Sequence, residues 1–263
     1  DNKEIVDLIS VMENYDPTVS TSQSVSDLLR LIEHHYTDTI KNVLGKNPSL
    51  DLNRKHERYS SYMDFAIKEK LDDIVYLISQ MKNYDPAIPD EDNFTDFHTL
   101  CRHPEYGMIG KSLLDKLPDM DMTLCGNGQE HGEFSYLYLA LGSGNEPLIY
   151  SIPLMKNYKP NKTELIDLIR GEKISLFPYI IQRFPNININ EKLEGWPVFW
   201  DDYMKIAADA KKKKIAEIIA NMDSYNPTRV DSKGKTDIDY LEKAGLWDVA
   251  RIAREKANLI KNQ

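Results

Sequence analysis

Apolar and polar positions along the chain fall into short bursts with helical spacing. In residues 61–86, Met63, Phe65, Ala66 and Ile67 form one burst, and Ile74, Val75, Leu77, Ile78 and Met81 form a second. Between them lies the polar break "KEKLDD", and at corresponding places stand "GSGNEP" and "DAKKKK". Pro147 in "GSGNEP" suits the first turn of the helix that follows. Each burst predicts a helix of two to three turns, too short to persist alone in water. The pattern therefore predicts a helix, a tight turn and a second helix, all burying their apolar faces against neighbours.

The unit recurs. "SYMDFAIKEKLDDIVYLISQMKNYDP" (61–86), "SYLYLALGSGNEPLIYSIPLMKNYKP" (135–160) and "DYMKIAADAKKKKIAEIIANMDSYNP" (202–227) align without a gap. Their closing phrase appears a fourth time as "VMENYDP" (11–17), and Pro17, Pro86, Pro160 and Pro227 are 69, 74 and 67 residues apart. A second phrase, "NPSLDLN" (47–53), "LPDMDMT" (117–123) and "FPNININ" (184–190), falls between copies of the first. The period near 70 is thus a pair of alternating unit types, each near 35 residues, and such self-similarity marks a stacked array. Ala66, Ala140, Ala207 and Ala208 suit close helix approach between stacked units. Met81, Met155 and Met222 are expected to fill the core at the end of the second helix. Tyr84, Tyr158 and Tyr225 are expected to lay a ring on that seam with the hydroxyl on a backbone group or water, and the proline after each to stop the helix.

These units resemble the ankyrin repeat. "TDFHTLC" (95–101) matches the opening of that pattern through Thr95 and His98, and "LDDIVYLI" (71–78) is similar to its second helix. "FPNININ" stands at its closing phrase, and "GKTDIDYLEKAGLWDVARIA" (234–253) is similar throughout. A tyrosine–proline close replaces the usual glycine, and "TPLH" is intact nowhere. The resemblance implies an all-α solenoid of stacked helix-turn-helix units with finger loops. It would run as one array over 1–263: a half unit at 1–17, then units near 24–53, 59–86, 93–123, 133–160, 161–190, 200–227 and 234–257. It also implies a module without chemistry of its own, binding a protein partner through its concave face and fingers. On that surface would lie Trp196, Phe199 and Trp200 of "EGWPVFWDDY" (194–203), with a weaker counterpart at Phe134. The first-helix positions Tyr138, Lys205 and Asp64 and the tip residues Lys68, Glu69 and Asp209 complete the expected contact set.

Composition narrows the partners. With 41% hydrophobic, 29% charged and 10% aromatic residues the chain is expected to fold. A net charge of −9 opposes general affinity for nucleic acid or anionic membrane. No apolar run approaches the roughly 18 residues of a membrane span, and the acidic start "DNKEIVDLIS" is unlike a signal peptide. Two cysteines, Cys101 and Cys125, suit a reducing, cytoplasmic setting. The start at Asp1 without Met reads as a piece of a longer or processed chain, with further domains expected upstream. An alternative reading is the ankyrin region of a larger multidomain enzyme, or of a bacterial effector acting in host cytoplasm.

Candidate chemistry is sparse. "FHTLCRH" brings Cys101 close in sequence to His98 and His103, and a Cys-dependent enzyme using Cys101 is the alternative to a structural role. A zinc site from His98, Cys101, His103, Cys125 and His131 would lack a C-x-x-C pair. "DEDNFTD" (90–96) fails as an EF-hand loop at its sixth and twelfth positions, Thr95 and Cys101, and reads as a solvated loop. "GSGN" (142–145) is a turn without the lysine–serine tail of a phosphate loop. "KKKK" (211–214) reads as a solvated turn, with contact to an acidic partner or a phosphate group as the sharper alternative. Neither cofactor nor metal is expected.

Overall fold

A computed structural model of the chain describes residues 9, 12, 15–19, 26–53, 61–128, 132–192, 202–231 and 233–262. Among them are seven helix pairs, here repeats 1–7: α1 (Asp27–Glu33) with α2 (Thr37–Lys46), α3 (Tyr62–Lys68) with α4 (Asp72–Gln80), α5 (Asp96–Arg102) with α6 (Gly107–Lys116), and α7 (Tyr136–Ser143) with α8 (Glu146–Ser151). Then come α9 (Lys162–Arg170) with α10 (Leu176–Arg183), α11 (Tyr203–Asp209) with α12 (Lys213–Asn221), and α13 (Asp237–Lys243) with α14 (Trp247–Lys261). The chain forms two compact units, Asp1–Tyr158 and Lys159–Gln263. Within each, first helices stack on first helices and second on second, the arrangement of an ankyrin-repeat solenoid.

Why each first helix starts where it does is written in its N-cap. Ser26, Ser61, Thr95, Ser135, Asn161, Asp202 and Thr236 each accept the backbone N–H three residues on, satisfying a donor that no earlier turn can reach. At Thr95, Asn161 and Thr236 the third helical residue also reaches back, through His98, Glu164 and Asp239. The histidine of the "TDFH" stretch is thus half of a capping box.

Second helices begin without such caps; in every repeat but the third a left-handed turn delivers the chain to them, and in the third a 3₁₀ turn at Pro104–Tyr106 does so. His35, Lys70, Gly144, Glu172, Lys211 and Gly245 all have φ between 54° and 78°. In repeat 6 the turn closes with Lys212 N–H donating to the Ala207 carbonyl at 2.8 Å and Lys211 N–H to Ala208 at 2.9 Å. A side chain in this conformation costs roughly 1–2 kcal/mol, partly offset because glycine orders more entropy on folding. Lys211→Gly is therefore expected to stabilise the C-terminal unit by about 0.5–1 kcal/mol; an unchanged or lower urea midpoint would count against this.

The core follows the repeated columns. Ala66, Ala140, Ala207 and Ala208 are fully buried, as are Phe97, Tyr136, Phe177 and Tyr203. Met155 is buried, while Met81 and Met222 are only half covered. The helices end at this methionine: Met81, Met155 and Met222 are extended, with ψ of 136°, 141° and 133°. The proline five residues later thus does not stop the helix. Instead the Pro86 carbonyl accepts the Phe97 N–H at 3.0 Å, and the Pro17 carbonyl the Leu28 N–H at 2.9 Å, tying each phrase to the next first helix.

The tyrosine of the phrase makes the same connection with a side chain. The Tyr15, Tyr84 and Tyr225 hydroxyls donate to Asp27, Asp96 and Asp237 at 3.1, 2.9 and 2.9 Å, always twelve residues ahead and always at the first position of a first helix. These hydroxyls reach carboxyl groups, where a backbone group or water was expected. In the other direction Tyr62 donates to the Ser26 cap at 2.9 Å, and Tyr136 meets the Thr95 cap at 3.1 Å. Apart from Tyr15, which precedes repeat 1, these tyrosines come from even-numbered repeats and reach odd-numbered ones, while Tyr106 of repeat 3 runs the other way and donates to Asp72 of repeat 2 at 2.6 Å. Hence the period is two repeats.

The second phrase has its own ladder. Asn53 donates to the Asn83 carbonyl at 2.7 Å and accepts the Asp85 N–H at 2.7 Å; Asn190 does the same with Ser224 and Asn226 at 2.6 and 2.8 Å. A single side-chain amide thus pairs with the backbone of the following loop, joining repeat to repeat without a sheet.

Candidate functional site

The fingers that carry an array's variable surface lie between one repeat and the next first helix. Two share a tip: Asp90 accepts the N–H of Asp92 and Phe94 at 3.0 and 2.8 Å, and Asp231 accepts those of Lys233 and Lys235 at 2.7 and 3.0 Å. The left-handed residue each tip needs is Asn93 or Gly234. The acidic stretch at 90–96 is thus a turn organised by one carboxylate. Asp231 also accepts the Tyr240 hydroxyl; this bond and those to Lys235 and Lys233 hold its carboxyl down at about 2.

The finger before α7 is a β-hairpin of β1 (Cys125–Gly128) and β2 (Gly132–Ser135), antiparallel with Gly126 opposite Phe134. Glycine at 126 has a steric reason, since a Cβ there would stand 2.6 Å from the Phe94 ring. Phe94 from the preceding finger, Phe134 from β2 and Tyr138 from α7 form a chain of half-buried rings, with centroids 6.3 and 5.5 Å apart. The exposed Arg102 of α5 lays its guanidinium 4.8 Å from the Phe94 centroid. Rings of this kind, kept in place from beneath and open above, can desolvate against a partner.

The expected contact residues divide. Tyr138 belongs to the ring chain. Asp64 does not face outward: it is 5% exposed, and its carboxyl takes the Thr99 hydroxyl at 3.2 Å and the Lys68 ammonium at 2.7 Å. It braces α3 against α5, because the first helices stack too closely there to leave it in water. Lys68 is exposed beside it, and Glu69 meets His35 at 3.1 Å. Lys205 lies over the Tyr240 ring at 4.8 Å, and Asp209 is exposed at the end of α11. Trp196, Phe199 and Trp200 lie outside the described residues. Phe94 and Arg102 carried no periodic signal; one aromatic at a finger tip before the T-x-x-H stretch was the available clue.

The polar runs are used internally. Lys212 meets Glu172 of repeat 5 at 3.3 Å, and Lys213 meets Asp248 of repeat 7 at 2.7 Å, so half of "KKKK" is paired with neighbouring repeats. Cys101 is fully buried on α5 and burial pushes its thiol well above the ordinary range, the opposite of what a nucleophile requires. His98 is turned to Thr95 and Tyr136. Among the described residues no group of three or more His, Cys, Asp or Glu could hold a metal ion, and no helix is long and apolar enough to cross a membrane.

No family profile and no curated protein matches the chain. Among solved structures it is similar to the ankyrin-repeat domain of Bcl-3, described as a unique member of the IκB protein family. The TM-score is 0.57 at 12% identity, over 87% of this chain and 95% of that one. The fold is that of an ankyrin-repeat domain.

Proposed function

We propose that this protein recognises a protein partner through its fingers and first helices and carries out no chemistry of its own. The observation that supports this most is the chain of half-buried rings Phe94, Phe134 and Tyr138 with Arg102 beside it, aromatic and arginine side chains of the kind that dominate interface energetics. In the C-terminal unit the same role falls to Trp196, Phe199 and Trp200, together with Lys205 and Asp209. Lys68 and Glu69 extend the surface at the tips of repeat 2. A cytoplasmic setting fits a chain of this length with only two cysteines, one of them, Cys101, fully buried.

Affinity capture from a cytosolic extract tests this, comparing the wild type with Tyr138→Ala/Arg102→Glu and with Trp196→Ala/Trp200→Ala. Each pair is expected to weaken recovery of a specific partner by about thirtyfold or more, the loss of a hot spot of about 2 kcal/mol. Thermal unfolding should stay nearly unchanged. A drop of several kcal/mol in stability with binding retained would make these rings core and sink the proposal.

A further inference from the structure

Between repeats 5 and 6 the stacking of second helices opens. α12 packs broadly against α14 but only sparsely against α10, and an open groove of about 590 Å³ lies on the side of α12 that faces repeat 5. Lys214, Glu217, Ile218, Asn221 and Met222 line it from α12 and its C-cap, and Ile174, just before α10, lines it from repeat 5. Spacings of three and four residues put those five side chains on one face, so the groove follows the helix for about 12 Å. One position marks the difference from other repeats. The tenth residue from the start of α6 and of α14 is a lysine that reaches back to the preceding repeat: Lys116 donates to the Ser79 carbonyl at 3.2 Å, and Lys256 to the Met222 carbonyl. Counted in the same way from the start of α12, the residue is the half-covered Met222, which has no ammonium to make such a bridge.

The lysine run before α12 sets the charge of the groove. Lys212 and Lys213 are drawn sideways to Glu172 and Asp248, which leaves Lys211 and Lys214 exposed and outside any ion pair among the described residues. Glu217, which also lines the groove, is held 3.9 Å from the Lys213 ammonium. Residues 159–263 hold 19 Lys and Arg against 16 Asp and Glu, a net charge of +3, whereas residues 1–158 hold 14 against 26. The groove thus lies in the basic unit of an acidic chain.

We propose that this groove is a second docking site, sharing no residue with the finger surface, and that it takes an acidic segment of a partner protein. A side chain of leucine or methionine size enters between Ile174, Ile218 and Met222, and a neighbouring carboxylate of the segment meets Lys214. The aliphatic lining loses water on contact, and the unbranched Met222 adapts to what enters. Lys214 and Lys211 select the sign of the segment, since a basic one is repelled.

The probe is a fluorescein-labelled peptide of about twelve residues built from alternating pairs of leucine and glutamate, titrated with the full chain and followed by fluorescence polarisation. Saturable binding is expected, weakening as salt rises from about 50 mM to about 500 mM, and a counterpart with lysine in place of glutamate should not bind. Lys214→Glu, at an exposed position, should weaken binding by about tenfold or more. Met222→Lys installs the bridging lysine of repeats 3 and 7, closes the groove, and should weaken binding by a similar factor although it adds a positive charge. Tyr138→Ala/Arg102→Glu should leave this binding unchanged, so the groove and the finger surface stand or fall separately. Thermal unfolding of each variant checks the fold; where Met222→Lys does not fold, Lys214→Glu and the lysine peptide decide. No saturable binding below about 1 mM, equal affinity in Lys214→Glu, tighter binding by a folded Met222→Lys, or equal binding of the lysine peptide would overturn the proposal.

Discussion

Tyr84→Ala is expected to lower the stability of repeats 2 and 3 by about 3–5 kcal/mol, and Tyr84→Phe by only about 1–3 kcal/mol. The ring is almost wholly buried on the seam after α4, so removing it leaves a cavity that short stacked helices cannot close without shifting the next repeat. The hydroxyl accounts for the smaller part. It donates at 2.9 Å to Asp96, itself 2% exposed, and phenylalanine strands that buried carboxyl. Native-state hydrogen exchange of the α3–α5 amides is the suitable measure, since openings in a stacked array are local. Equal losses for the two variants would show that the hydroxyl, and not the ring, carries the joint. No loss in Tyr84→Phe would remove the tyrosine–aspartate link as a reason for the conserved spacing of twelve between Tyr84 and Asp96, and between Tyr225 and Asp237.

Thr95→Val should cost about 2–4 kcal/mol although its shape hardly changes. The hydroxyl oxygen of Thr95 is shared among three contacts: the His98 N–H at 3.3 Å, the His98 ring nitrogen Nδ1 at 2.9 Å and the Tyr136 hydroxyl at 3.1 Å. Loss of the cap accounts for about 0.5–2 kcal/mol, and a buried tyrosine hydroxyl left without this contact for about 1–3 kcal/mol. Thr95→Ser should restore most of it. In a double-mutant cycle, Thr95→Val with Tyr136→Phe should lose clearly less than the sum of the two single changes. Strict additivity would mean that the hydroxyl serves its own helix alone and does not join repeat 3 to repeat 4.

Much of this architecture is local, and so it could be read from one dimension. Helical spacing placed two short helices in each repeat, and the residues before the first of them, from Ser26 to Thr236, are caps by their own chemistry. The recurrence of tyrosine, methionine and proline marked a two-repeat period. Its cause lay out of reach, because a hydroxyl finds Asp96 only after the finger at 87–95 has turned back on itself. The left-handed residues at His35, Lys70, Glu172 and Lys211 carry no glycine to announce them. The hairpin at 125–135 is glycine-rich and gives little alternation to detect.

The candidate surface shows the same division. Tyr138 was legible as an aromatic on a first helix; Phe94 and Arg102 became its neighbours through a finger that no spacing rule describes. Asp64 looked like a surface charge, and stacking turned it inward to Thr99 and Lys68. Periodicity by itself determined which faces are apolar and that the repeats come in two kinds. Only the tertiary structure decided which polar side chains meet across repeats, because those meetings depend on where a neighbour's backbone arrives, and that position is set by packing between segments some 35 residues apart.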